Sequence, residues 1–161
     1  MRRLGFLLLM LCMLSSLSKI NTHFAQEKNQ LKRFNVIADL TLYPQDTPKK
    51  IAASVLKALE KERFDYITAH LLDPEFIDRR IKSTASTADQ LIEEIKSHFT
   101  KEPDLLKALK TILRSGEITD DGQKASIKHK DYPNTQIFLR RIEDRWFIEN
   151  RKEAERAPEK E

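Results

Sequence analysis

"FLRRIEDRWFIEN", residues Phe138 to Asn150, is the stretch on which the fold turns. Apolar residues occupy both alternating phases, and each phase also carries charge. Taking Glu143 and Asp144 as a two-residue hairpin loop sets Ile142 opposite Arg145, Arg141 opposite Trp146, Arg140 opposite Phe147 and Leu139 opposite Ile148. Opposed residues share a face of the sheet. One face then collects Ile137, Leu139, Trp146 and Ile148, with Arg141 and Asn150 as its polar members. The other collects Phe138, Ile142 and Phe147 among Arg140, Arg145 and Glu149. The first is expected to meet a core, with Trp146 as its largest contributor and Arg141 stacked on the indole. The second has two readings. Arginine stems can simply cover an open sheet face. Alternatively Phe138, Arg140, Ile142 and Phe147 form a contact surface for a protein partner or a second copy, since Phe and Arg are enriched at interfaces.

The same period of two continues upstream. In "DGQKASIKHK", Ala125, Ile127 and His129 alternate with lysines and Ser126, as in a half-buried strand. Asp121-Gly122 predicts a tight hairpin turn back to a short strand at Glu117 to Thr119. Before Gly116 the period becomes helical. Thr47-Pro48 and Asp73-Pro74 each pair an N-cap with a proline at the first helical position, where no amide donor is needed. Asp65 is a further cap candidate. Thr87 and Gln90 have capping-box spacing ahead of the stripe Leu91, Ile95 and Phe99. A last helix begins near Pro103, shows Leu105, Leu109 and Ile112 on one face, and stops at Gly116. Helices first and strands afterwards, without βαβ alternation, predict an α+β domain. A run of short helices should pack on one face of a C-terminal antiparallel sheet of three to four strands.

The beginning of the chain reads as an address. Arg2 and Arg3 precede fifteen uncharged residues, Leu4 to Ser18. That pattern is a basic region and an apolar region followed by small residues, so residues 1–18 are expected to be a signal peptide, with cleavage possible as late as Ala25. A membrane-crossing helix needs about 20 apolar residues, so retention as a short anchor is the rival reading. Cys12 lacks the small preceding residue of a lipid-attachment signal. It is the sole cysteine, so the mature chain should hold no disulfide or thiolate site. Residues 1–25 contain Arg2, Arg3 and Lys19 and no acid; without them, 29 basic residues become 26 against 25 acids, and the formal net charge falls from +4 to +1. A mixed, nearly neutral surface argues against nucleic acid. Export to the periplasm or the extracellular space is the expected destination.

Residues 19–46 read as a partly ordered lead-in, with Leu31, Phe34 and Ile37 on an amphipathic turn and "LTLYP" extended before Pro44. Residues 47–151 form the domain. The charged tail 152–161 is expected to be mobile.

The segments "YPQDTP", "LLDPEFID" and "RWFIENR" carry a resemblance to a family of short exported bacterial proteins, seen mainly in planctomycetes, that spans roughly Asp39 to Arg151. The family has no assigned activity, so no site residue carries over. The order of helices followed by a curved sheet also resembles, at fold level, the nuclear transport factor-like (SnoaL-like) cone. Some members of that fold hold acid and base side chains in the cone, whereas others only bind or dimerise.

Tyr66, His70 and Asp73 lie within eight residues, and Tyr66 and His70, four apart, share a helical face. Such a set could carry acid–base chemistry in a pocket. The plainer reading is that Tyr66 packs, His70 takes a local hydrogen bond and Asp73 caps a helix. His129 has no second ligand at metal spacing. "TDDGQ" lacks the calcium-loop pattern and reads as a turn. With three glycines in the chain there is no phosphate-cradling loop, and no cofactor or metal is expected. The reading favoured by the sequence is a non-catalytic exported domain that binds a protein or a small apolar ligand. The alternative is a small cone-fold enzyme using Tyr66, His70 and Asp73.

Overall fold

The computed structural model describes residues 31–150. The signal, its cleavage, Cys12 and the charged tail lie outside those residues. The chain is α+β. A two-stranded hairpin, β1 (Lys32–Arg33) and β2 (Val36–Ile37), is followed by α1 (Pro48–Glu60) and α2 (Phe64–Tyr66). A π-helical turn (Ile67–Leu71) continues from α2, and α3 (Pro74–Thr84), α4 (Ala88–Lys101) and α5 (Pro103–Ser115) complete the helical half. Four strands close the fold: β3 (Glu117–Asp120), β4 (Lys124–Lys128), β5 (Gln136–Ile142) and β6 (Arg145–Glu149). They form one antiparallel sheet in the order β3-β4-β5-β6. None of the described helices is long and apolar enough to cross a membrane.

Local chemistry explains the helix starts. Thr47 Oγ1 accepts the Lys50 amide at 3.2 Å, and Asp73 accepts the amides of Glu75 and Phe76 at 2.9 and 3.4 Å. Thr87 and Gln90 make both halves of a capping box, at 3.2 and 2.8 Å. Asp65 caps nothing; it lies inside α2 and pairs with Arg63 at 2.9 Å. Gly116 ends α5 in extended geometry.

The β5–β6 ribbon has the register expected from its loop, including Arg141 opposite Trp146 and Leu139 opposite Ile148. Ile137, Leu139 and Trp146 are buried in one core with Ile51, Val55, Leu59, Ile67, Leu71 and Ile112. Glu143 allows the two-residue turn by taking a φ of 54°, a cost the ribbon's packing outweighs.

Several expectations are corrected. Phe147, assigned to the open face, is 3% exposed. Its ring lies 5.1 Å below the Arg145 guanidinium, and Arg140, opposite it on β5, is drawn to Asp73 and Glu75 at the start of α3, at 3.5 and 2.9 Å. Arginine stacking therefore falls on Phe147, while Arg141 reaches Asp144 at 3.6 Å. The β3–β4 loop is longer than a two-residue turn: Asp120 pairs with Ala125, and Asp121 Oδ1 accepts the amides of Gln123 and Lys124. That slip is even, so the faces are kept. Leu31 to Ile37 forms no helical turn, because Phe34 and Asn35 both take positive φ and close a hairpin. Residues 40–42 are a turn rather than extended chain, with Asp39 accepting the Leu42 and Tyr43 amides. Beyond that turn Tyr43 and Gln45 are buried, so this part of the lead-in belongs to the core.

Gln45 positions the free side of β6. Its carbonyl accepts the Trp146 amide at 2.8 Å, and its side-chain amide donates to the carbonyls of His70 and Trp146 at 2.8 and 3.0 Å. One step along, the Asp73 amide donates to Ile148 at 2.9 Å, and Leu72 bridges Ile148 in parallel.

Candidate functional site

Each of the three acid–base candidates is tied to the scaffold. Tyr66 is 1% exposed; its hydroxyl accepts the Asp39 amide at 2.8 Å, and its ring packs 4.2 Å from Tyr43 and 5.0 Å from His70. Burial raises its pKa. His70 lies in the π-helical turn, where Nε2 donates to the Val36 carbonyl at 3.0 Å and so holds the β1–β2 hairpin. Burial lowers the imidazole pKa, Arg145 and Arg33 act in the same direction, and the Val36 carbonyl opposes them. Asp73 is occupied by the α3 amides and faces Arg140. Tyr66 and His70 are brought together; Asp73 points into another network.

The open volume lies elsewhere. A cavity of about 510 Å³ sits between α3, α4 and the end of the β5–β6 ribbon, with Leu109 of α5 and Val55 and Leu59 of α1 deeper in its wall. That size suits a small organic ligand, for which about 300–1,000 Å³ is usual. Thirteen of its nineteen lining residues are apolar. None of Tyr66, His70 and Asp73 is among them. The α4 stripe forms one wall: Leu91 is buried, while Ile95 and Phe99 are half-buried, packed against the core on one side and lining the space on the other.

Polar groups gather at the mouth. Arg80 of α3 and Glu94 of α4 pair across it at 2.8 Å. His98 stands one turn further along α4, 3.4 Å from Glu102. Gln136, Glu149 and Asn150 come from the ribbon end.

Of the proposed contact face, Phe138 and Ile142 are half-buried, Arg140 is held by α3, and Phe147 is enclosed. Phe138 also lines the cavity. In the sequence Leu91, Ile95 and Phe99 form an apolar helical stripe, which does not by itself indicate a cavity. The available signal is Glu94 and His98, which interleave with that stripe at spacings of three and four and put ionisable groups beside an otherwise apolar face.

His129 is half-buried, with Ser115 Oγ 3.2 Å from Nε2 and the Asp131 amide donating to Nδ1 at 3.2 Å. Among the described residues no group of three histidines, cysteines or carboxylates is placed to hold a metal ion. No protein-family model, curated protein or solved structure matches the chain.

Proposed function

We propose that this chain is an exported, non-catalytic binding domain whose cavity between α3, α4 and the β5–β6 ribbon takes a small apolar molecule. The observation that carries the reading is the cavity of about 510 Å³, lined mainly by apolar residues and by neither Tyr66 nor His70. A core that needed only stability would close such a space, because unfilled apolar volume costs packing energy. The two aromatic-face groups that could move protons are instead fixed in hydrogen bonds to backbone, which favours binding over acid–base chemistry. The helices-then-sheet order and a cavity between the two layers are in keeping with a nuclear transport factor-like cone. The apolar run at Leu4 to Ser18 and the resemblance to short exported proteins support export.

Native mass spectrometry of the protein purified from its own host tests this reading. The expected result is a population carrying the added mass of a small organic molecule, lost in the cavity-filling variant Ile95→Trp. A folded chain that carries nothing, and takes up no apolar probe from solution, overturns it.

A further inference from the structure

The ionisable groups around the cavity mouth already have partners. Arg80 and Glu94 neutralise each other across the opening. His98 faces Glu102, and Glu149 is engaged as well, with Arg140 among the charges it meets. The amides of Gln136 and Asn150 are neutral, and each offers both a donor and an acceptor. Deeper in, the wall is formed by apolar residues such as Val55, Leu59, Ile67 and Leu109. An occupant with a carboxylate at the mouth must take Arg80 from Glu94 and leave that acid beside it unpaired. An occupant with an ammonium group must do the reverse and strand Arg80. A hydroxyl or an amide disturbs neither charge. The charged tail does not suit the interior: "RKEAERAPEKE", which begins just beyond Asn150, has two alanines and one proline as its apolar residues.

We infer that the ligand is an amphiphile with an uncharged, hydrogen-bonding head group, held at the mouth by Gln136 and Asn150 while the Arg80–Glu94 pair turns away both charged counterparts. The inference rests on the binding reading above and specifies its ligand class.

Three probes of equal chain length, decanol, decanoate and decylammonium, test it by competition against an apolar fluorescent dye bound to the full chain. Decanol should bind tightest. The variants Glu94→Gln and Arg80→Gln carry the decision. Both side chains are partly exposed, so folding should persist, and circular dichroism verifies it. Exposed ion pairs are worth little, so freeing Arg80 in Glu94→Gln should strengthen decanoate about fivefold, and freeing Glu94 in Arg80→Gln should strengthen decylammonium by about as much. Decanol should stay within about twofold in both, since its hydroxyl uses neither charge. Decanoate or decylammonium binding tightest to the unaltered chain sinks the inference and leaves the binding reading intact. So do decanoate and decylammonium affinities that neither substitution moves. Failure of all three probes and the dye to bind sinks both.

Discussion

At Gly116 the constraint is space rather than dihedral freedom, because its φ of −68° is open to any residue. A Cβ there would lie 2.5 Å from the Ile112 carbonyl oxygen and from Ile127 Cγ2, and 2.9 Å from the Lys128 oxygen. Two of those three atoms are backbone and cannot step aside. Gly116→Ala should therefore lower stability by about 1–3 kcal/mol in urea denaturation, the range for overpacking. His70 gives a pH-dependent counterpart. Its folded pKa lies below the ordinary 6.5, so between the two values the unfolded chain binds more protons. Its contribution is complete above pH 6.5 and is lost as the pH falls through 6.5 toward the folded value. Stability should rise with pH across that window, and the rise should vanish in His70→Gln, as read from urea midpoints of the two proteins. Equal slopes would mean the imidazole is not held neutral. Residues with local partners were legible in the sequence: Thr47, Asp73 and Thr87 each bond within three positions. Phe147 was not, because Arg140, which faces it, is anchored by an acid 65 positions away.

Among the elements, the β5–β6 ribbon was the most readable, since its register follows from a two-residue loop and a strict alternation. The β1–β2 hairpin escaped notice because no glycine marks it. Phe34 sits at φ 50°, a conformation rarely adopted by an aromatic residue. The α4 helix was legible as a helix from its capping box, but its stripe could not reveal whether side chains or open space lay opposite. Gln45 was equally silent, being a single polar residue in a stretch without period. Its amide satisfies two carbonyls on different elements, His70 and Trp146. Gln45→Ala removes that donor from buried acceptors and should cost about 1–3 kcal/mol. Guanidinium unfolding checks this; a loss under about 0.5 kcal/mol would mean water replaces the amide without penalty.

On the scale of the whole molecule, the switch of period at Gly116 made the α+β class readable. The cavity was not, because it depends on how far α3 and α4 stand apart over the ribbon end, and no single stretch encodes that separation. If the cavity binds, a ligand at a hundredfold excess over its Kd should raise unfolding free energy by about 2.7 kcal/mol, seen as an upward shift in the thermal midpoint. The strand order has a further bearing, on self-association. With Gln45 and Leu72–Asp73 docked along β6, β3 is the flank of the sheet with no strand hydrogen-bonded to its outer edge among the described residues. Growth by strand addition thus has one growing end, and that end is four residues long with Glu117 and Asp120 at its limits. Two copies meeting there would crowd four carboxylates along one short seam, which works as a built-in brake on ribbon-like aggregation. Replacing both acids, Glu117→Thr with Asp120→Val, should release it, and light scattering at high concentration would record sheet-joined oligomers where the unaltered chain stays dispersed.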